Sequence, residues 1–423
     1  MMSTPPAFCT LRRNIAGVPV ADLARDFGTP LFVYDAATIV RRLEELRAFD
    51  HVRYAQKACS NLAILDLVRR YGALIDAVSA DEVRRALAAG YSAEGIPPPI
   101  IYTADIFDAD ALDLIVDKNV HVNCGSPDMI GQYGNRSPGS SITLRINPGF
   151  GHGHSRKTNT GGPQSKHGIW YEQLADCLIE AERYELSVTG LHMHIGSGTD
   201  LEHLSEVCAA MERAAEVVGQ SLNSISAGGG LPIPYRQGEA RMDLDAYFAL
   251  WDATRRRLED RLSHAVRLEI EPGRYIVAES GFLIAEIRAV KRQSGNTFYL
   301  VDAGFNNLAR PVLYGAYHPM SVVPADGNMD RPERDVIVGG PLCESGDIFT
   351  QEEGGYVVTR RLPTAAVGEF LVIECAGAYG FVMGSNYNSK PLAAEVLISD
   401  GQPRLIRQRQ TFDDLIRGES IPG

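Results

Sequence analysis

The chain has 423 residues, 45% of them hydrophobic and 22% charged, with a net charge of −12. That balance is ordinary for a globular protein with room for two domains, and so acidic a chain suits nucleic acid poorly. No apolar run is long enough to span a bilayer and the start lacks the apolar core of a secretory signal, so the expectation is a cytoplasmic protein that handles a small molecule and has no membrane partner.

In chain order, "LFVYD" at 31–35 reads as a strand that precedes the main run and joins a second domain. From Val52 onward short apolar strands alternate with amphipathic helices. "VRYAQ" is followed by Lys57, and a helix starts near Asn61. "LIDAV" precedes the helix "SADEVRRALAAG", closed by Gly90. "IIYTA", "VHVNC", "ITLRI" and "VTGLHMH" follow. Then "LEHLSEVCAAMERAAEVVGQ" carries Leu204, Cys208, Met211 and Ala215 on one stripe, which reads as core. "SISAG", the helix "DLDAYFALWDATRRRLEDRL" and "RLEIE" complete the run, with Leu244, Phe248, Trp251, Leu258 and Leu262 on the helix's inner face. Eight βα units predict a (β/α)8 TIM-like barrel over residues 36–281. An open doubly wound sheet would need a G-x-G-x-x-G turn after its first strand, and "QKACSN" is not one.

After Gly281 the rhythm changes. "FLIAEIRAVKR", "TFYLVDAG", "DVIVGG", "GYVVTRR", "EFLVIECAG", "AAEVLI" and "RLIRQR" follow one another with no long helix between them. The fold class is therefore α/β plus all-β, the second domain being a β-sandwich or β-barrel made of residues 1–35 and 282–423. The stretch Pro319–Asp335, rich in Asp, Pro and Gly, is predicted to be an exposed loop.

In a barrel of this kind the active site lies at the C-terminal ends of the strands, with phosphate commonly bound after strands seven and eight. There the chain places "AGGG", ending at Gly230, and "EPGR", Glu271 to Arg274. Glycines let backbone N–H groups approach an anion, and arginine adds a charged fork. Lys57 ends the first strand at the same rim. A lysine, a phosphate cradle and an acid together match pyridoxal 5′-phosphate: the lysine takes the aldehyde, and the carboxylate keeps the ring nitrogen protonated. Burial is expected to keep part of the Lys57 amine uncharged. His192 and His194 share a strand face, where two metal ligands are the rival reading. The expectation is no metal, with one histidine stacked on the ring and the other hydrogen-bonded in the core. His152 and His154, in a glycine-rich loop, receive no role, and seven scattered cysteines without a CxxC pair suggest no disulfide framework.

"YAQKACSN", "HMHIGSG", "SAGGG", "EPGRY", "GPLCESGD" and "GAYG" together resemble the fold-type III pyridoxal phosphate decarboxylases, in their ornithine/diaminopimelate/arginine group. The resemblance runs from about residue 28 to about residue 416. It implies that Lys57 bonds the cofactor, His194 stacks on its ring and Glu271 meets its ring nitrogen. Ser197, Gly229, Gly230, Gly273 and Arg274 would cradle its phosphate, and Tyr379 would reach the cofactor and the substrate. It further implies that Cys343 donates a proton and that Arg274, Arg310, Tyr314 and Glu344 bind substrate. Two departures from the commoner pattern are Cys59, where many relatives have asparagine, and "SKHG" at 165–168 in place of Ser-Lys-Phe-Gly. The implied activity is decarboxylation of meso-2,6-diaminopimelate to L-lysine, the last step of bacterial lysine biosynthesis. The alternatives are a sister decarboxylase of ornithine, arginine or carboxynorspermidine, or a non-catalytic cofactor-binding paralogue. The family also implies a homodimer in which Cys343, Glu344 and Tyr379 complete a site around the partner's Lys57.

Overall fold

All eight predicted barrel strands form in the computed structural model, which describes residues 8–151, 160–194 and 201–422. They are His51–Ala55, Leu74–Ala77, Ile100–Ala104, His121–Cys124, Ser141–Asn147, Ser187–His192, Ser224–Ser226 and Arg267–Ile270. Each pairs in parallel with its successor. The eighth pairs with the first through Glu269↔His51 and Ile270↔Val52, which closes the barrel.

The helices between strands begin where side chains can satisfy the unpaired N–H groups of a first turn. Asn61 accepts from Ala63, Ser79 from Glu82, Asp108 from Ala111 and Asp243 from Ala246. The stripe Leu204, Cys208, Met211 and Ala215 is buried as predicted. In the helix Leu244–Leu262 the buried stripe is Tyr247, Trp251, Thr254, Leu258 and Leu262. Leu244 and Phe248, predicted to face inward, are only partly buried. The spacing from 247 to 262 follows the helical repeat more closely, and Tyr247 takes the inner position.

The strands carry an unusual load of polar side chains. Every one contributes a buried polar group: Arg53, Asp76, Thr103, Asn123, Arg145, His192, Ser226 and Glu269, in chain order. Buried polar groups must find partners or pay the desolvation cost. Arg53, fully buried, reaches Glu269 from its Nε (2.6 Å to Oε2) and its Nη2 (3.2 Å to Oε1), and its Nη1 donates to the Pro98 carbonyl at 2.7 Å. This two-bond pair spans the seam where the barrel closes.

The chain divides into two units. Val40–Pro232 and Met242–Ile276 make the barrel unit; the segment up to Ile39, Ile233–Arg241 and Val277–Gly423 make the other. The organiser of this β unit is the long strand Gly281–Gln293. Its first half pairs antiparallel with Leu31–Asp35 and with Phe370–Ile373, and its second half with Asn296–Val301. A register shift between Ile287 and Ala289 separates the two halves, as a bulge does when one strand serves two partners. "LFVYD" thus joins the second domain, lying parallel to Ala394–Ser399, which pairs in turn with Gln402–Arg407. Glu333–Gly339 lies parallel to Asn296–Val301 and antiparallel to Arg360–Pro363. Ile15, Leu23, Val33, Ile284, Val372 and Val396 centre the core of this unit.

Two expectations are corrected here. The predicted loop Pro319–Asp335 contains a buried strand, Met320–Val323, paired with Phe370–Ile373. The run Met-Ser-Val-Val between two prolines suffices for a short strand covered on both faces, and the next strand starts at Glu333, so only the stretch between them is loop. "GYVVTRR" yields a strand only from Arg360, extending to Pro363, since Tyr356 and Val357 are exposed. The excursion Ile233–Arg241 has no compositional marker in the sequence. Among the described residues no helix is long and apolar enough to cross a membrane.

Removing one partner of a buried pair leaves an uncompensated charge, at a cost of about 3–5 kcal/mol. Arg53→Met should lower unfolding free energy by about that amount in denaturant titrations. The double variant Arg53→Met/Glu269→Leu should recover most of the loss.

Candidate active site

At the end of the first barrel strand the chain turns through Gln56–Ala58, and this turn holds Lys57 on the rim. Its Nζ lies 3.9 Å from Asp76 Oδ2. The Lys57 side chain is 45% exposed, so the expected burial of the amine is not what the structure shows. The turn leaves the side chain at the strand ends, where the Asp76 carboxylate lies beside its amine. Asp76 itself is buried; desolvation and the charge of Glu271 raise its carboxyl above the ordinary range, against the pull of Lys57 and the Thr103 hydroxyl.

Glu271 follows the eighth strand and is engaged on both oxygens. His192 Nε2 lies 2.8 Å from Oε2, and the Ser226 hydroxyl donates to Oε1 at 2.9 Å. Ser226 is oriented in turn because its oxygen accepts the Gly228 N–H at 3.1 Å. Burial alone would raise the Glu271 carboxyl, but the His192 charge and hydrogen bond, Ser226 and the more distant Arg53 outweigh it and hold it below the carboxylate range. Two carboxyls in one barrel are thereby pushed apart, one up and one down.

His194 differs from His192. Its Nδ1 accepts the Gly229 N–H at 2.9 Å, so the proton of the neutral ring sits on Nε2. Burial lowers its pKa well below the ordinary value, and Arg145, Lys57 and His192 push the same way. His194 is thus a neutral, oriented ring, and His192 is the histidine bonded in the core. Arg145 is buried among Asp105, Glu271 and Asp76, whose charges resist the lowering of its pKa by desolvation. Asp105 is fixed by the Gly168 N–H (2.9 Å) and His167 Nδ1 (2.5 Å), the histidine of "SKHG".

The glycine turns are built for close approach. A Cβ on Gly229 would lie 2.5 Å from the Glu271 carbonyl, and one on Gly228 would lie 2.5 Å from the Met193 carbonyl. Gly228 and Gly230 also have φ of +63° and +98°, which side chains disfavour. A Cβ on Gly273 would sit 2.9 Å from the Ala55 carbonyl, so "EPG" packs directly on the end of the first strand. Arg274 opens the short helix Arg274–Val277 next to it.

Lys57, His194, Gly229, Gly230, Glu271, Gly273 and Arg274 therefore all lie at the strand ends of the barrel unit. Ser197, His152 and His154 lie outside the described residues. The other five predicted residues belong to the β unit. Arg310 and Tyr314 open and close the helix Arg310–Tyr314. Cys343 and Glu344 are exposed on a loop, where the Cys343 N–H donates to Asn388 Oδ1 at 2.8 Å. Tyr379 holds φ of +57°, a strained value for a tyrosine. Asp347 ties the Cys343 loop down by accepting from the N–H groups of Leu342 (2.8 Å) and Phe305 (2.8 Å).

Sequence reasoning missed Asp76, Arg145 and Ser226, and it left His192 without a partner. The signal was present: "LIDAV" and "ITLRI" each hold one charge in an otherwise apolar strand, and such a residue near the C-terminal end of a barrel strand aims at the site.

The barrel rim fits a polar aromatic phosphate. Asp76 Oδ1, Asn123 Oδ1 and His192 Nδ1 are buried with no hydrogen-bond partner among the described residues, and the glycine turns keep the adjacent backbone bare. Residues 36–278 match the model of the pyridoxal-dependent decarboxylases, pyridoxal binding domain. The chain belongs to this family. It is 52% identical over 401 residues to the diaminopimelate decarboxylase of Escherichia coli (strain K12), covering 94% of this chain and 96% of that one. A crystal structure of diaminopimelate decarboxylase superposes with a TM-score of 0.91 at 52% identity, over 93% of this chain and 94% of the other. The Helicobacter pylori diaminopimelate decarboxylase complexed with L-lysine is 30% identical, with a TM-score of 0.81 over 94% and 98% of the two chains. The chain is thus a decarboxylase whose cofactor is pyridoxal phosphate.

Because the folded-state pKa of Glu271 lies below that of a free glutamate, about 4.3, the stability of its ionised form is fully present above that value. It is lost only as pH falls through the lower folded value. The difference in melting temperature between wild type and Glu271→Gln should shrink as pH falls below about 4.

Proposed function

We propose that this chain decarboxylates meso-2,6-diaminopimelate at its D-configured carbon, releasing carbon dioxide and L-lysine as the last step of lysine biosynthesis, in the cytoplasm and as a homodimer. The observation that carries the reading is Glu271, ionised and held on both oxygens at the rim that bears Lys57. The 52% identity to the Escherichia coli enzyme and the L-lysine bound by the Helicobacter pylori relative support the choice of substrate.

Lys57, His194, Gly230, Gly273 and Arg274, with Ser197 and Tyr379, would hold pyridoxal phosphate, and Glu271 would meet its ring nitrogen. When bound, this group supplies a cationic ring that takes up the electron pair left as the carboxylate departs. Glu271 keeps a negative charge where that ring's N–H must be retained. His194, neutral and fixed by Gly229, offers a flat face and adds no competing charge. The backbone N–H of Gly229 is spent on that histidine, so its part in the cradle is to orient His194. Cys343 would return a proton to the substrate carbon, and its exposure suits a group that acts across a subunit boundary. Arg310, Tyr314 and Glu344 would read the distal amino-acid head through its carboxylate and ammonium.

A carbon dioxide release assay on the loaded enzyme tests the substrate: meso-diaminopimelate should turn over, while ornithine and arginine should not. Lys57→Ala should lose the visible absorbance that borohydride removes from wild type, and with it all turnover. Cys343→Ala should be severely impaired while keeping that absorbance. If sites are shared, mixing Lys57→Ala with Cys343→Ala under exchange conditions should restore about a quarter of wild-type turnover, since each mixed dimer has one intact site. Equal residual activity before and after mixing would argue for sites built within one subunit.

A further inference from the structure

Arg310 is 6% exposed, yet only one of its nitrogens is engaged by described residues. Its Nη1 donates to His318 Nε2 at 2.9 Å and to the Tyr235 hydroxyl at 3.1 Å, which uses both hydrogens of that nitrogen. Its Nε is buried with no acceptor among the described residues. A buried charged donor left unpaired is costly, so this N–H calls for a ligand. In a guanidinium, Nε–H and one Nη2 hydrogen form a parallel edge that matches the two oxygens of a carboxylate.

The protonation of His318 is settled from both ends. Its Nδ1 lies 2.9 Å from the Glu374 carbonyl, which can only accept, so Nδ1 carries hydrogen. Its Nε2 faces a guanidinium, which can only donate, so Nε2 is bare. His318 is 1% exposed and serves as a neutral acceptor that joins Arg310 to the backbone at Glu374. Tyr235 is equally constrained. It packs edge-on to His318 at 5.5 Å, and Arg310 Cζ lies 5.1 Å from its ring centroid. It arrives on the excursion Ile233–Arg241, where Glu239 Oε2 accepts the N–H groups of Tyr235 (2.7 Å) and Arg236 (3.0 Å). Arg236 lies over the Tyr317 ring at 4.2 Å, and Arg241 forms two bonds with Glu279 (2.8 and 3.1 Å).

We infer that His318 and Tyr235 are positioning residues that lock the Nη1 side of Arg310 and so present its Nε–Nη2 edge to the distal carboxylate of the substrate. They thereby set the preference for an amino acid with a carboxylate at its far end over a plain amine. The inference rests on the reading that Arg310 binds that carboxylate. It explains why a segment from between the seventh and eighth barrel strands belongs to the β unit: the excursion delivers a hydroxyl to a buried guanidinium.

The test uses loaded enzyme and two competitive inhibitors: L-lysine, which keeps the distal carboxylate, and 1,5-diaminopentane, which lacks it. His318→Leu should weaken L-lysine inhibition about tenfold and raise KM for meso-diaminopimelate similarly, the effect of losing one charged hydrogen bond. kcat and inhibition by diaminopentane should be nearly unchanged, the pattern of lost uniform binding. His318→Gln, whose amide oxygen can accept from Nη1, should recover most of the loss. Tyr235→Phe, which removes only a hydroxyl, should shift L-lysine in the same direction by about threefold. Melting curves and the visible absorbance of the loaded enzyme identify a variant that has not folded, in which case Tyr235→Phe decides alone. Unchanged discrimination between the two inhibitors in a folded His318→Leu, or in Tyr235→Phe when that variant decides, overturns the inference. Arg310→Met separates the two possible failures. If it too leaves L-lysine binding unchanged, the assignment of Arg310 to the carboxylate is what fails; if it weakens L-lysine strongly, the error lies with the positioning residues.

Discussion

Arg53 and Glu269 meet across the seam where the eighth barrel strand lies against the first. Closure of a parallel barrel brings together two strands that are more than two hundred positions apart in the chain, and a buried ion pair in that seam favours one register over its neighbours. A one-residue slip would turn Arg53 and Glu269 to the outside and leave their charges without partners. The same register sets the rim above. The Ala55 N–H donates to the Pro272 carbonyl at 3.3 Å, and Gly273 packs on the Ala55 carbonyl. Lys57 and Glu271 are held at one mouth by these backbone contacts, without any direct bond between them.

Once that register holds, the electrostatics of the mouth follow from what each charge touches. Glu271 and Asp76 are both buried carboxyls, but His192 and Ser226 together outweigh burial at Glu271, whereas at Asp76 the Thr103 hydroxyl and Lys57 do not outweigh burial and the Glu271 charge, so one is held ionised and the other is driven upward. Environments that separate the pKa values of two similar groups divide their chemical tasks. The two histidines of "HMH" divide in the same way. His192 serves a carboxylate, and His194 takes a backbone N–H and stays neutral.

The β unit solves a different problem, which is to hold side chains in place on loops. Its long strand Gly281–Gln293 serves two sets of partners, and the close contact of Gly281 with Gly377 has no room for a side chain. Around this frame, side chains tie segments down: Asp347 holds the Cys343 loop and Asn388 holds Cys343 itself through backbone N–H groups, and the His318 ring accepts from the Arg310 side chain. Loops positioned by a rigid scaffold are where binding residues concentrate, and here Asp347 and His318 are buried anchors.

The amino-acid sequence by itself determined the alternation of eight strands with helices, the change to an all-β rhythm after Gly281, and the motifs at the strand ends. Each of these is written in local periodicity or in glycine placement. It fell short where an element was short, as at Met320–Val323, because four residues are too few to carry a period. It also missed the polar strand residues Asp76 and Arg145, whose meaning depends on which way a closed barrel turns them. Only the tertiary structure decided which histidine meets Glu271, which nitrogen of His318 bears the proton, and which edge of Arg310 is left open. Those choices are made by partners far apart in the chain, such as Tyr235 and Arg310, and a hydrogen bond between distant residues leaves no periodic trace in either.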